Sequence, residues 1–220
     1  LAIGGQPREL PILLTHYHWD HVQGLPFLAQ LYQPGWTPKI YAPKFEASEP
    51  EWVETIFRSP FFPVPVDRLP NRPTVDIIRP GDLRIGGFEI SAIPLNHPGG
   101  SLAYRVRGTL GDLVYATDHE LGSPDHDAAL AEFARGASAI ILDSHFTPDE
   151  IGAHAGWGHS DWRTCAEFAA ANDIVYEQSV ADRNLRGMGT TLTAGALGID
   201  GTLTLGHVGD SRAYLVRDGK

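Results

Sequence analysis

The first part of the chain alternates short apolar runs with turn residues, a pattern that predicts short strands and helices. Apolar runs at residues 12–14 and 39–42 are typical of buried strands. Between and after them, residues 24–32 and 51–58 carry apolar side chains at near-helical spacing. The proline-rich stretch 59–73 is incompatible with a regular element, and we expect it to form a surface loop or flap.

The middle of the chain predicts strands in quick succession, with mainly antiparallel spacing. Each strand signal is bounded by glycine or proline-rich turns, and the signals fall at residues 83–85, 88–93, 102–106, 113–116 and 139–142. A helix with an Asp-rich first turn is predicted over 125–135, where the acidic residues suit the helix dipole. A second helix is predicted from Trp162 toward Val180, capped by Ser160 and Asp161.

The pattern changes after Gly187. Three runs read as strands of a meander, at residues 190–197, 201–208 and 211–216, with an Asp-Gly pair in the first turn. The whole chain of 220 residues is long enough for one large domain or two small ones.

Composition and charge exclude several classes of protein. With 42% hydrophobic residues, extensive disorder is not expected, and the single Cys165 excludes both an intrachain disulfide framework and a four-cysteine zinc site. The formal net charge of −10 argues against nonspecific nucleic-acid binding through a basic face. No apolar run reaches the length of a membrane-spanning helix, and no signal-peptide pattern opens the sequence, so we expect a cytoplasmic protein.

Four potential metal ligands lie within six residues directly after the first predicted strand. Alternation at the strand end places His16 and His18 on one side, and a turn into the next helix can present Asp20 and His21 to the same point. Imidazoles and a carboxylate suit zinc, and also manganese or iron. Four such side chains exceed what one ion uses comfortably, so two divalent ions are predicted.

These residues carry a resemblance to a known family. The run Thr-His-Tyr-His-Trp-Asp-His at 15–21, followed by Gly24, resembles the signature of the metallo-β-lactamase fold hydrolases. His97 and Asp118, each after a predicted strand, match that family's later ligands in order. The resemblance implies six ligands: His16, His18 and His97 for the first ion, Asp20 and His21 for the second, and Asp118 bridging both.

A further motif points to one branch of that family. Residues 156–162, Gly-Trp-Gly-His-Ser-Asp-Trp, are similar to a motif of the ribonuclease Z-like and phosphodiesterase branch. The resemblance implies that His159 assists phosphodiester cleavage; the alternative is a purely structural role beside a helix cap. Four histidines match no motif strongly and are interpreted as surface residues or as residues that support the ligands from behind: His119, His126, His145 and His154. For His145, which follows Asp143 and Ser144, a position lining the pocket is the alternative.

The two ends depart from the family pattern. Little sequence precedes the histidine cluster, and the strand carrying the family's last histidine ligand is missing after the predicted helix at 162. From about Asn172, two motifs at 187–192 and 206–215 instead resemble a metal-dependent protein phosphatase of type 2C, without that family's metal-binding carboxylates. We therefore expect a hydrolase core over 1–171, fused to a phosphatase-like segment over 172–220 that packs into the same domain.

The expected fold is α/β (α+β), a metallo-β-lactamase-like αββα sandwich truncated at both ends and completed by the phosphatase-derived β-meander. The run from Thr202 to His207 ends a predicted strand with a histidine, as the family's last ligand strand does. We therefore predict that His207 replaces the missing ligand of the second ion. The alternative is that His207 is only a strand residue of the phosphatase-like segment.

The expected function is binuclear metal-dependent hydrolysis of a small phosphodiester or cyclic nucleotide, with Asp20 and His159 as the catalytic residues. Three alternatives stay open: a lactamase, lactonase or thioesterase of the same fold, a protein phosphatase, which the absent carboxylates disfavour, and a folded but inactive chimeric fragment. A homodimer through exposed sheet edges would suit the last of these. Neither a membrane nor a nucleic acid is expected as a partner.

Overall fold

The computed structural model describes residues 8–45, 52–109, 111–171, 192–197 and 203–208. This part of the chain has a mixed α/β fold and divides into two compact units, one ending at Gly87 and the other beginning at Phe88. The domain boundary predicted between 171 and 172 lies at an edge of the described residues and stays a prediction.

The first unit is built on a parallel sheet. Its strands and α-helices are β1 (Arg8–Leu13), α1 (Trp19–Val22), β2 (Trp36–Pro43), α2 (Trp52–Ile56), β3 (Thr74–Ile78) and β4 (Gly81–Ile85). The sheet order is β1-β2-β3, with Ile12 opposite Ile40 and Ile40 opposite Val75. The strands predicted at 12–14 and 39–42 overlap β1 and β2, whereas β3 was not predicted from the sequence.

The helix predicted over 24–32 is replaced by two 3-10 turns, Leu25–Phe27 and Ala29–Leu31. Leu28 between them has an extended backbone (φ −68°, ψ 114°), which interrupts the helical hydrogen-bond ladder. The side-chain amide of Asn71 donates to the Gln30 carbonyl at 2.7 Å and to the Gln33 carbonyl at 2.5 Å. These tertiary hydrogen bonds satisfy carbonyls at the end of the segment, where a helix also leaves carbonyls without partners.

The proline-rich stretch 59–73 contains one short regular element, a 3-10 turn at Val66–Arg68. Its expected position on the surface is wrong in part, because Val66 and Leu69 are buried in the core of the first unit. These apolar side chains therefore hold the loop against the core of the first unit through hydrophobic packing.

The second unit contains a mixed sheet with two helices. Its elements are β5 (Phe88–Leu95), β6 (Ser101–Val106), β7 (Leu113–Ala116), α3 (Pro124–Ala134), β8 (Ala139–Leu142) and α4 (Trp162–Ala171). Within this unit the strand order is β5-β6-β7-β8, with the first two pairs antiparallel and β7 parallel to β8. The carboxyl ends of β7 and β8 therefore lie side by side, which positions the loops that follow them.

Apolar and polar contacts both fix α3. Leu130 and Ala134 pack into a core with residues of the sheet, including Val114 and Ile140. At the end of the helix, the Arg105 guanidinium donates to the carbonyl of Phe133 at 2.8 Å and to that of Arg135 at 2.9 Å. This side chain satisfies carbonyls that a helix end leaves without partners.

The final described strands, β9 (Leu192–Leu197) and β10 (Leu203–Val208), pair in antiparallel orientation. They form a two-stranded sheet of their own and are not hydrogen-bonded to β8. The predicted extension of the long helix toward Val180 and the third strand at 211–216 lie outside the described residues. Among the helices that the structure describes, none is long and apolar enough to cross a membrane.

Candidate metal centre

The predicted histidine cluster follows β1 in the first unit. His16 is buried, and its Nε2 lies 3.1 Å from His18 Nδ1. Two ligand nitrogens on a tetrahedral zinc ion lie about 3.3 Å apart, given Zn–N distances near 2 Å. Tyr17 turns the other way, with its hydroxyl donating to the Pro43 carbonyl and its ring packed against Trp52. The predicted alternation of side chains at this strand end is confirmed.

Asp20 and His21 lie on α1, directly after this strand end. The Asp20 carboxylate is 71% exposed and lies 3.3 Å from His21 Nε2. The rings of His16 and His21 have their centroids 4.2 Å apart. The structure thus brings together the four candidate ligands of the first unit, two on the loop after β1 and two on the short helix that follows it.

The second unit brings His97 and Asp118 together. They follow β5 and β7, and His97 Nε2 lies 3.8 Å from Asp118 Oδ2, with side chains 0% and 8% exposed. This distance is too long for a hydrogen bond and fits two donors that share one ion. Among the described residues, Asp118 is the one non-glycine residue with a positive φ, +61°. Its backbone amide donates to Asp143 Oδ1 at 2.6 Å, which holds this strained turn.

The hydrogen bond of His97 fixes its tautomer. Its Nδ1 lies 2.9 Å from the carbonyl oxygen of Gly158, which can only accept, so Nδ1 carries the proton. In the neutral ring, Nε2 is then left with a lone pair on the side of Asp118. Outer-shell carbonyls orient metal-binding histidines in the same way.

The loop that holds His97 is clamped by a residue the sequence analysis missed. Glu120 accepts the Gly156 amide at one carboxylate oxygen and the Gly158 amide at the other, both at 2.7 Å. The backbone of Glu120 is in turn bound to Asn96, the residue before His97, through its amide at 2.9 Å and its carbonyl at 2.8 Å. Glu120 therefore joins two segments that contact His97: its backbone binds Asn96, and its carboxylate binds the loop of Gly156 and Gly158.

Two glycines of this loop allow a matched test. Gly156 and Gly158 both have left-handed backbones, with φ of +84° and +86°, but only a Cβ at 158 would collide with the His97 and Pro98 rings. We expect Gly156→Ala to cost about 1–2 kcal/mol of stability through its backbone alone. Gly158→Ala should cost roughly 1–3 kcal/mol more through overpacking and weaken metal affinity about 10- to 100-fold. Denaturant unfolding and zinc titration measure both, and equal behaviour of the two variants would contradict the positioning of His97 by this loop.

His159 lies beside the same cluster. Its Nδ1 is 3.0 Å from Asp143 Oδ2, while the other oxygen of Asp143 binds the Asp118 amide. Potential ligand atoms of Asp118, Asp143 and His159 all lie within 4.8 Å of one another. The sequence analysis missed Asp143, although it follows β8 as Asp118 follows β7, and the strand-end pattern could have revealed it.

His119 is a buried residue rather than a surface one. Its Nδ1 accepts the Asn96 amide at 3.1 Å, and its Nε2 lies 3.1 Å from Asp127 Oδ1. Burial lowers the pKa of His119, and the Asp127 carboxylate offsets part of this effect. The neutral ring with its proton on Nε2 satisfies both hydrogen bonds. His119 therefore holds Asn96 and Asp127 next to the turn at Asp118.

Cys165 lies on α4 beneath this site. Its thiol donates to the Asp143 carbonyl, with Sγ 3.1 Å from the oxygen, and burial raises the pKa of the thiol to about 12. A thiol of this kind is a poor nucleophile and a poor ligand at neutral pH. Cys165 therefore serves packing, in agreement with its absence from the predicted site.

His207 lies in β10, opposite Thr193. The structure describes the strand at this position and not the surroundings of the side chain. The proposed replacement of the missing ligand by His207 therefore stays a prediction.

The sequence is similar to a known protein family over most of its length. The model described as "Beta-lactamase superfamily domain" matches residues 6–176. The chain belongs to the beta-lactamase superfamily. The predicted resemblance is thereby confirmed for the greater part of the chain, and the mixed α/β fold agrees with it.

Solved structures of this superfamily are similar in fold. A diphosphatase from the PhnP family is 19% identical, with 76% of this chain and 57% of that chain covered and a TM-score of 0.52. The metallo-beta-lactamase fold protein YhfI from Bacillus subtilis is 20% identical, with 69% and 55% covered and a TM-score of 0.49.

A curated relative comes from a different family. The serine/threonine protein phosphatase PstP of Mycobacterium tuberculosis (strain CDC 1551 / Oshkosh) is 36% identical over 119 residues, which is 52% of this chain and 21% of the phosphatase. The same protein from strain H37Rv gives the same values. The chain thus spans about a fifth of the length of the curated relatives it matches. This partial match leaves the fusion at about residue 172 as a prediction.

The donor sets of both units fit the divalent ions that this superfamily usually holds. Each set combines imidazole nitrogens with a carboxylate, the ligands that zinc and similar ions take. In each, neighbouring donor atoms lie 3–4 Å apart, the spacing of atoms that share an ion. The Nδ1 of His97 is held by a backbone carbonyl, and its Nε2 faces the Asp118 carboxylate, as ligation through Nε2 requires.

Proposed function

We propose that the chain is a binuclear metal-dependent hydrolase that cleaves small phosphodiesters. The observation that carries this proposal is the pairing of His159 with Asp143 beside the Asp118 carboxylate. A histidine whose Nδ1 is held by a carboxylate is oriented for proton transfer at Nε2. Hydrolysis of a diester with a poor leaving group needs such a proton donor.

The proposed ligand set follows the family resemblance. The ligands are His16, His18 and His97 for one ion, Asp20 and His21 for the other, Asp118 between them and His207 as the last ligand of the second ion. Zinc is the ion we propose, with manganese and iron as alternatives. Bound divalent ions would supply Lewis acidity and a nucleophilic water at neutral pH.

The residues of the chain would divide the work as follows. Asp143 holds the Asp118 turn through one oxygen and orients the His159 ring through the other. His159 would give a proton from Nε2 to the departing oxygen, which avoids the release of a strongly basic alkoxide. Asp20, exposed on α1, is the proposed carboxylate that orients the attacking water.

The choice of phosphorus as the reacting centre rests on two further points. The Gly-His-Ser motif around His159 resembles the phosphodiesterase branch, and the solved diphosphatase shares this fold. A net charge of −10 disfavours a long polyanion such as RNA, so the proposed substrate is a small diester or cyclic nucleotide.

A substrate panel tests the proposal. We expect the zinc-loaded protein to hydrolyse p-nitrophenyl phosphodiesters, with little turnover of lactam, lactone or thioester substrates assayed in parallel. Elemental analysis should find about two ions per chain in the parent and one fewer in His207→Ala. A folded protein with no metal would contradict the proposal, and so would a metal-loaded protein that hydrolyses only a non-phosphate substrate.

A further inference from the structure

A continuous row of aromatic rings leads away from His159 across the second unit. We call these rings the aromatic row: Trp157, His154, Phe146, His145 and His159. The centroids of neighbouring rings lie 4.8 Å apart for Trp157–His154, 4.3 Å for His154–Phe146, 4.7 Å for Phe146–His145 and 4.7 Å for His145–His159. Trp157 at one end is 61% exposed, whereas Phe146 in the middle is buried.

The row is anchored rather than loosely attached. Phe146 amide and carbonyl groups bond Ser160 and Trp162 at 3.2 Å, and the Phe146 ring stacks on His154 at an interplanar angle of 16°. His154 Nδ1 lies 2.9 Å from the Glu150 carbonyl, which fixes that ring as well. The exposed end of the row therefore rests on ordered groups.

Trp157 occupies the tip of the loop clamped by Glu120. Its two neighbours, Gly156 and Gly158, both donate their amides to that carboxylate. The backbone on either side of the indole is thus fixed, and little conformational entropy is lost when a ligand contacts the ring. An exposed indole on a fixed backbone, at the end of the aromatic row opposite to His159, is suited to binding a planar ligand.

We propose that Trp157 is the platform on which the nucleobase of a nucleotide substrate stacks, an inference that rests on the proposed phosphodiesterase function. Trp157 is two residues from His159, so their Cα atoms are at most about 7 Å apart. The aromatic row separates the two rings by His154, Phe146 and His145, so the proposed substrate is extended, with its base on the indole and its phosphate near His159. A nucleobase is planar and uncharged at neutral pH, and stacking on an indole asks for no charged partner.

The test separates the base from the phosphate. Binding of adenosine 5′-monophosphate and of ribose 5-phosphate to the zinc-loaded protein is measured by calorimetry, because the two ligands differ only in the base. We expect the parent to prefer the nucleotide by roughly 5- to 100-fold, the range of one base–aromatic stack. Trp157→Ala should bring this ratio close to one, and Trp157→Phe should retain part of it.

Trp162→Ala is the matched control. Trp162 is also an exposed tryptophan, 46% exposed at the start of α4, but the Arg163 guanidinium already lies over its ring at 5.4 Å, and it is not in the aromatic row. We expect this variant to keep the parental preference for the nucleotide. Loss of the preference in both tryptophan variants would overturn the proposal.

The difference in affinity between the nucleotide and ribose 5-phosphate does not depend on turnover. The Trp157 platform and the phosphodiesterase function can therefore be contradicted independently. A parent protein that binds both ligands equally overturns the Trp157 platform, even if it hydrolyses diesters. A nucleotide preference lost only in Trp157→Ala supports the platform, even if no diester is hydrolysed and the proposed reaction is wrong.

Discussion

Replacing His97 by alanine is expected to remove about one metal ion per chain and to abolish hydrolysis, because three or four protein ligands hold each ion. The His97 side chain is fully buried, its Nδ1 donates to Gly158, and its Nε2 lies 3.8 Å from the Asp118 carboxylate. Elemental analysis and diester hydrolysis measure the two losses on the same preparation.

His126→Ala is the control for this experiment. His126 is half-buried near the start of α3, where its Nδ1 bonds the Ser123 hydroxyl at 2.9 Å, and it is not among the proposed ligands. We expect it to retain both ions and full activity. His97→Gln fills more of the buried space and serves as the second test variant if His97→Ala does not fold. A folded His97 variant with both ions and parental activity would remove His97 from the metal centre.

Replacing His159 by alanine is expected to leave the metal content unchanged and to lower kcat by roughly 10²- to 10⁴-fold, the usual contribution of a general acid. The loss should be largest for a diester with an alkyl leaving group and small for p-nitrophenolate, which departs without a proton. The reason is the Asp143 hydrogen bond, which holds Nδ1 and leaves Nε2 for proton transfer. Rates with both leaving groups and metal content are measured together.

Two results would assign His159 a different role. Loss of metal in His159→Ala would make it a ligand, which its placement within 4.8 Å of Asp118 and Asp143 donors permits. An equal loss with both leaving groups would indicate that His159 positions the phosphate instead of donating a proton. Asp143→Asn serves as the companion variant, since it weakens the orientation of the ring and retains the histidine.

The sequence predicted the secondary structure of the second unit well and that of the first unit less well. The strand signals at 102–106 and 113–116 coincide with β6 and β7 to within one residue, because turn residues bound both strands. The segment predicted as a helix at 24–32 forms two 3-10 turns, and Asn71 holds its end through the carbonyls of Gln30 and Gln33, 41 and 38 residues away. Local periodicity carries no information about such a distant partner.

The hydrogen bonds that support the candidate site were beyond the sequence pattern. The position of Asp143 after a strand could have been recognised, whereas Glu120 stands out in no motif, and each acts through hydrogen bonds to backbone amides remote in sequence. Glu120 reaches Gly158 across 38 residues, and only the paired strands bring these segments together. The same contacts decide which nitrogen of His97 carries a proton.

The sequence by itself determined the types of the candidate ligands, their order along the chain and the family, because a cluster such as His16–His21 needs only a strand end to present its side chains. The tertiary structure decided how those ligands are held. The positive φ of Asp118 persists because Asp143 binds its amide, and Trp157 is presented to solvent because Glu120 clamps the glycines beside it. The order of residue types along the chain specifies which candidate ligand groups are present. Hydrogen bonds between distant segments, together with burial, determine how each of these groups is oriented.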